Sequence, residues 1–139
     1  MTRRSSLRNR AMRYSAAPLA VLLLLAACGS DNPAVPNAVP VTGHWTGTTT
    51  GAAGTFTFAL DLKESGQDVT GTGTVAAASS TVPVTVTGTH VLTSLGLRLA
   101  APGYVDVTYS STLNARADSA AGTLVGSSLD ALTLSIVRR

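Results

Sequence analysis

The sequence predicts an all-β protein, an antiparallel eight-stranded up-and-down barrel, with a β-sandwich as the alternative. Apolar and polar residues alternate with period two in five segments of residues 42–139. Turn residues separate the alternating segments, and no segment of useful length carries the apolar stripe of an amphipathic helix. Short connections favour antiparallel pairing between strands that follow one another in the chain. Both a barrel and a sandwich limit the exposed edges of such a sheet.

The first four predicted strands lie in the first half of this region. Residues 43–48 form the first strand, and a looser segment, residues 48–54, follows it. The second strand places its apolar side chains on one face, and residues 69–75 form the third. Pro83 interrupts the fourth, which predicts an edge, a bulge or a barrel corner there. The apolar positions of the second and fourth strands are Phe56, Phe58, Leu60, Leu62, Val82, Val84 and Val86.

The last four predicted strands follow the same pattern. Residues 122–126 form the seventh strand, and the others are marked by alternating apolar residues. Turn signals lie at residues 65–68, 101–103, 114–119 and 127–130. The alternating positions of strands five, six and eight are Leu95, Leu97, Leu99, Val105, Val107, Tyr109, Leu132, Leu134 and Ile136.

A membrane-spanning barrel does not fit this pattern. Such barrels face apolar residues outward and carry aromatic girdles at both interfaces. From Thr42 onward the aromatic residues are few, and the polar faces bear threonines and charges suited to water. The apolar faces are therefore expected to point inward.

The order G-x-W, a connecting segment and a second alternating strand resembles the start of the lipocalin and avidin families. Gly43, His44 and Trp45 carry the first motif. The resemblance implies a small barrel in which Trp45 plugs one end and Arg138, near the end of the last strand, packs on it. This chain is shorter than a typical lipocalin, lacks the C-terminal helix of that family, and has one tryptophan, so the resemblance implies no biotin site.

The first 28 residues form a basic and then apolar leader that ends in Leu25, Ala26, Ala27 and Cys28. The apolar stretch of residues 16–27 is shorter than the ~20 residues that span a bilayer and suits a signal-peptide core. The final four residues resemble the lipobox of bacterial lipoproteins. That resemblance implies cleavage before Cys28 and acylation of Cys28, by a fatty acyl group such as palmitate. An ordinary secretory signal is the alternative.

Cleavage before Cys28 would divide the chain into three regions. They are a lipoprotein signal peptide (residues 1–27), the lipidated Cys28 with a Pro-rich tether (residues 28–41), and a β-barrel domain (residues 42–139). Three prolines favour extended backbone in the tether. In the lipoprotein family an aspartate after the cysteine retains the protein at the inner membrane. Gly29 stands there, which implies the outer membrane, with the domain facing the periplasm or the cell exterior.

The leader also accounts for the basic character of the chain. The whole chain has a formal net charge of +3, and five arginines without an acid lie before Cys28. From Cys28 onward five basic and seven acidic residues give a net charge of −2. Charge therefore predicts no nucleic-acid binding. Because Cys28 is the only cysteine, no disulfide framework exists.

Candidate catalytic and metal-binding residues form no recognisable motif. His44 is expected to face solvent, and His90 to lie near a loop between strands. Neither histidine has a second ligand at metal spacing, and no serine lies in a nucleophile elbow. Asp61 and Glu64 point to opposite faces of a strand, so they form no acid–base pair. The sequence therefore predicts no enzyme, no cofactor and no metal site.

The glycines of the third strand decide between two interpretations of the interior. Gly71 and Gly73, between Val69 and Val75 on an inward face, remove side-chain volume and would leave a cavity. The alternative is that Phe56, Phe58 and Tyr109 fill that space.

We expect a membrane-anchored lipoprotein whose non-catalytic barrel binds a small apolar ligand that enters near residues 48–54. The ligand-binding residues expected are Trp45, Phe56, Phe58 and Tyr109. The alternative is a structural or interaction lipoprotein of the cell envelope, with a solid core and a protein partner.

Overall fold

A computed structural model describes residues 39–78, 80–127, 129 and 131–139. The predicted leader, Cys28 and most of the predicted tether lie outside the described residues. Within the described residues no helix is long and apolar enough to cross a membrane.

The described chain is all-β, as predicted, and its eight strands are each antiparallel to the next. They form a closed barrel and not the alternative sandwich. The strands are β1 (Gly43–Gly51), β2 (Gly54–Ser65), β3 (Asp68–Ala77), β4 (Ser80–Val91), β5 (Ser94–Ala100), β6 (Val107–Leu113), β7 (Ser119–Val125) and β8 (Leu132–Arg138).

The barrel closes where β1 pairs with β8 along four residues of each strand. Trp45 lies opposite Arg138 in this register, and Thr48 lies opposite Ser135. Every other pairing joins consecutive strands, so the topology is up-and-down. Closure removes both free edges of the sheet, which would otherwise offer unpaired backbone groups to other chains.

The apolar face of each strand points inward, as the period-two alternation predicts. Phe58, Leu60 and Leu62 of β2 are buried, while their neighbours Asp61 and Lys63 are exposed. The other strands contribute to the core in the same way, and its members include Val41, Trp45, Val69, Val84, Val86, Leu95, Leu97, Leu99, Tyr109, Leu113, Leu124, Leu134 and Ile136.

The two ends of the barrel differ in their connections. At one end, which we name the closed end, lie the β2–β3, β4–β5 and β6–β7 turns, together with the start of β1 and the end of β8. At the other, the open end, lie the β1–β2, β3–β4, β5–β6 and β7–β8 connections. The described chain therefore enters and leaves the barrel at the closed end.

Residues 48–54 correct one expectation from the sequence. They form no loose segment, because β1 continues to Gly51 and β2 begins at Gly54, leaving a two-residue turn. The three consecutive threonines of β1 favour extended backbone. Gly54, with a φ of +114°, takes a conformation that a residue with a side chain rarely adopts.

Two further positions were informative in the sequence. Val105 is not part of a strand, since β6 begins only at Val107, and it is exposed in the β5–β6 loop. Pro83 lies in β4, where pairing with β5 begins only at Thr85. At Pro83, the side of β4 that faces β5 has no paired strand and is therefore a local edge. An edge is one of the three settings predicted for this proline.

Candidate binding cavity

A cavity of about 240 Å³ lies in the open end of the barrel. It is larger than the ~150 Å³ apolar cavity that suffices to bind benzene. Eleven of its fourteen lining residues are apolar and carry no side-chain hydrogen-bonding group. The lining residues are Phe56, Phe58, Val75, Ala77, Ser80, Val82, Val84, Leu99, Ala101, Tyr104, Val105, Val107, Ser127 and Leu129.

The most buried aromatic and aliphatic lining residues on β2, β4 and β5 form the bottom of the cavity. Phe58, Val84 and Leu99 are almost completely buried and form an apolar floor. Each occupies an inward position in the alternation of its strand. The floor is therefore part of the barrel wall, and its side chains offer a ligand only apolar contacts.

The mouth of the cavity is formed by the β5–β6 and β7–β8 connections and the start of β4. Tyr104 and Val105 line the cavity although they are 59% and 71% exposed. Exposed apolar residues at the rim of an apolar cavity are typical of a binding site, because a ligand can cover them. Ser80 and Ser127 also lie at this rim.

The structure separates the four ligand-binding residues expected from the sequence into two groups. Phe56 and Phe58 line the cavity. Trp45 is buried at the closed end, and Tyr109 is buried against β7 and β8, so neither belongs to the cavity lining. Residues 48–54 lie at the same end of the barrel as the mouth but do not line it.

The glycines of β3 do not create the cavity. A Cβ atom on Gly71 would lie 2.2 Å from the backbone oxygen of Asp61, and one on Gly73 would lie 2.3 Å from that of Ala59. Their lack of a side chain instead allows β2 and β3 to approach closely. The space arises further along the barrel, where β3 contributes Val75 and Ala77.

The closed end is sealed by Trp45 and by residues 39–42, which we name the N-terminal strap. Trp45 is fully buried, and its Nε1 donates a hydrogen bond to the Val41 carbonyl over 2.8 Å. The strap residues Val39 and Val41 pack against the core. Residues 39–41, assigned above to the end of the tether, are thus bound to the barrel.

Arg138 contacts both the Trp45 ring and the strap. Its guanidinium carbon lies 5.9 Å from the centre of the Trp45 ring, within the range of a cation–π interaction. Its Nη1 also donates to the carbonyl oxygens of Pro40 and Thr42, over 2.9 and 3.4 Å. Arg138 is therefore the arginine that the lipocalin resemblance placed on Trp45.

Gly43 of the G-x-W motif has a steric role in the same arrangement. Its φ is +145°, and a Cβ atom there would lie 2.9 Å from Cδ of Arg138. A side chain would force the Arg138 stem away from the Trp45 ring. The motif thus combines a ring that closes the barrel with the space that its cationic partner needs.

A buried Glu64–His90 pair, which the sequence pattern did not predict, fastens the strap from inside. The Glu64 and His90 side chains are only 4% and 1% exposed. Glu64 Oε2 accepts from the Val41 N–H over 2.6 Å, and both carboxyl oxygens lie 3.1 Å from His90 Nδ1. His90 lies at the end of β4 beside the β4–β5 turn, as expected from the sequence, and its side chain is buried.

The proton positions of this pair follow from its partners. His90 Nε2 lies 2.8 Å from the Leu92 carbonyl oxygen, which can only accept, so Nε2 donates there. The remaining proton lies between Nδ1 and the Glu64 carboxyl group. The pair is fully hydrogen-bonded and sits at the end opposite the cavity, so it is structural in this geometry.

Asp61 and His44 form a second carboxylate–histidine pair on the outer face of the same barrel wall. His44 Nδ1 lies 2.8 Å from Asp61 Oδ1, and both side chains are well exposed. The solvent-facing position expected for His44 is confirmed, as are the opposite faces of Asp61 and Glu64. Among the described residues no three His, Cys, Asp or Glu side chains are grouped as metal ligands.

Tyr109 bridges two strands across the interior. Its hydroxyl lies 3.0 Å from the Ala120 carbonyl oxygen and 3.1 Å from that of Leu134. Burial raises the pKa of Tyr109 to about 12, because ionisation would place a charge in the core. Tyr109 thus joins β6 to β7 and β8.

No protein-family model and no curated protein sequence matches this chain. The function of the barrel is therefore inferred from the geometry of its site.

We predict that Glu64→Ala destabilises the protein by about 3 kcal/mol, because it leaves the buried His90 and the Val41 N–H without their partner. Asp61→Ala is the matched control, since it breaks the exposed pair on the same strand, and we expect it to cost under about 0.5 kcal/mol. Urea unfolding followed by the fluorescence of Trp45, the only tryptophan, measures both. Equal effects would show that the strap is not fastened through Glu64.

We predict that the protein loses stability at alkaline pH because Tyr109 is buried with a raised pKa. Its pKa is raised from the ordinary tyrosine value of 10.0 to about 12 on folding, so between these values the unfolded chain releases the proton first. The free energy of unfolding therefore falls as pH rises from 10 to 12, by roughly 3 kcal/mol from this residue.

The Tyr109→Phe variant isolates this contribution. It should be less stable than wild type at pH 9, since it lacks the hydroxyl proton shared between the Ala120 and Leu134 carbonyl oxygens, but it should lose less stability above pH 10. Urea unfolding followed by far-ultraviolet circular dichroism at several pH values measures the difference. Parallel pH profiles for the two proteins would contradict the assignment.

Proposed function

We propose that this protein is a lipid-anchored, non-catalytic β-barrel that binds a small apolar molecule at the cell envelope. The observation that carries the proposal is the apolar cavity of about 240 Å³ in the open end. Its described lining residues provide contact area and rim hydroxyls but no paired acid and base and no nucleophile with a base. Binding without chemistry is the function that such a lining supports.

The direction of the chain supports the anchor. Residue 39 and the strap lie at the closed end, so an anchor upstream of them holds that end of the barrel. The mouth of the cavity lies at the opposite end. A barrel held in this way would exchange its ligand on the side away from the attachment point.

The attachment itself is proposed from the sequence. The apolar leader, the small residues Ala26 and Ala27, and Cys28 have the order that lipoprotein processing requires. Two or three acyl chains on a mature N-terminal cysteine hold a protein firmly to a membrane, whereas one chain gives only reversible binding. Gly29 after the cysteine favours the outer membrane as the destination.

The alternative function is an interaction lipoprotein with a solid core and a protein partner in the envelope. A solid core needs a filled interior, and the cavity between Phe58, Val84 and Leu99 is unfilled space. The geometry therefore favours the ligand-binding proposal over the alternative.

Acylation of Cys28 is tested by expressing the chain in a bacterium fed radiolabelled fatty acid. We expect label on the wild-type protein, which fractionates with membranes, and no label on Cys28→Ser. The Ser variant removes the sulfur that carries the lipid and leaves the rest of the leader unchanged. Label retained by Cys28→Ser would contradict the proposed anchor.

Occupancy of the cavity is tested by native mass spectrometry of protein purified from its host. We expect wild type to carry an excess mass that is lost on denaturation. Ala77→Trp should abolish it by filling the cavity mouth, whereas the control Ala76→Trp, on the outward face of β3, should retain it. An excess mass retained by Ala77→Trp would place the ligand elsewhere, and a wild type without one would contradict the proposal.

A further inference from the structure

We infer that the cavity selects an uncharged ligand with an apolar body and one hydrogen-bonding group, and discriminates against the corresponding carboxylate. This inference rests on the proposed function and narrows it to a class of molecule. It comes from two features of the barrel: where its positive charges lie, and which polar atoms surround the mouth.

The basic residues of the barrel are not among the lining residues of the cavity. From Thr42 onward there are five, and all of them are described. Four lie at the closed end, near the β2–β3 or β6–β7 turn or at the end of β8. They are Lys63, Arg116, Arg138 and Arg139.

Arg98 is the fifth basic residue, and it too lies outside the cavity lining. It occupies an outward position of β5, between the inward-facing Leu97 and Leu99. Its guanidinium is bound to the Asp106 carboxylate at the start of the mouth. No cation among the described residues therefore lines the cavity, and a carboxylate that enters would lose hydration without gaining a charged partner from them.

Three hydroxyl groups supply the polarity of the mouth. Ser80 occupies an inward position at the start of β4, Tyr104 lies in the β5–β6 loop, and Ser127 lies in the β7–β8 connection. None of the three hydroxyls makes a hydrogen bond to another residue of the described chain. Hydroxyls both donate and accept, so they suit an alcohol, a phenol or a carbonyl group.

The floor and the mouth together define the orientation of the ligand. The floor at Phe58, Val84 and Leu99 offers no polar atom, so a polar group placed there would be buried without a partner. The apolar body of the ligand therefore lies on the floor, and its polar group lies among the hydroxyls at the mouth. A few polar groups around an apolar pocket are enough to fix such an orientation.

Three ligands with the same eight-carbon skeleton test the inference: ethylbenzene, 2-phenylethanol and phenylacetate. Calorimetric titrations use the full chain in phospholipid nanodiscs at pH 8, with empty nanodiscs as the blank. We expect 2-phenylethanol to bind at least tenfold more tightly than phenylacetate. Phenylacetate binding within threefold of 2-phenylethanol would overturn the inference and leave the proposed function standing.

A variant lacking the three hydroxyls tests the role of the mouth. The triple variant combines Ser80→Ala, Ser127→Ala and Tyr104→Phe. We expect it to bind 2-phenylethanol about fivefold more weakly and to bind ethylbenzene with unchanged affinity, because only the alcohol loses hydrogen bonds. The control variant combines Ser110→Ala with Ser135→Ala, two residues that are exposed on outward faces of their strands. We expect its affinity for both ligands to equal that of wild type.

The remaining outcomes separate the inference from the proposed function. A threefold or smaller change in 2-phenylethanol binding by the triple variant would overturn the assignment of the mouth hydroxyls. Equal weakening of the alcohol and ethylbenzene would do the same, since it would indicate a general loss of cavity shape. Failure of all three ligands to bind wild type would overturn the proposed function and the inference together.

Discussion

The pairing of β1 with β8 is the constraint on which the rest of the structure depends. Four residue pairs join the first and last strands and convert an open sheet into a barrel with an interior. The same register places Arg138 opposite Trp45, where the guanidinium lies over the ring. Closure of the sheet and closure of one barrel end are therefore consequences of a single alignment.

The interior is used differently at its two ends. At the closed end, polar groups are fully paired: Trp45 and Glu64 hold the strap, and His90 holds Glu64. At the open end the β5–β6 and β7–β8 connections surround the mouth, and the apolar residues there leave space. This division separates two roles. The hydrogen-bonded closed end stabilises the barrel, and the open end keeps the cavity accessible.

The sequence predicted the fold well because period-two alternation depends only on which side of a strand meets water. It located every strand, and the G-x-W motif with Arg138 located the plugged end. It placed residues 48–54 in a loop, because Gly and Ala around the turn obscured the continuation of β1. It also extended the sixth strand to Val105, since an apolar side chain at a cavity mouth and one in a core look alike in sequence.

The site was harder to predict than the fold, for physical reasons. Phe56 and Phe58 were identified because they are large and inward-facing, but Trp45 and Tyr109 share those properties and lie elsewhere. Glu64 and His90 were missed although the signal was present: both continue the inward phase of their strands, in step with Leu62 and Val86. Polar residues at inward positions near one barrel end indicate a partnered buried pair, whereas cavity volume depends on loop packing that alternation does not specify.

The most direct test of this architecture is a crystal structure of the protein pressurised with xenon, which enters dry apolar cavities. We expect xenon in the open end, in contact with Phe58, Val84 and Leu99, and none beside Trp45. A packed open end without xenon, or xenon at the Trp45 end instead, would contradict a barrel that is sealed at one end and hollow at the other.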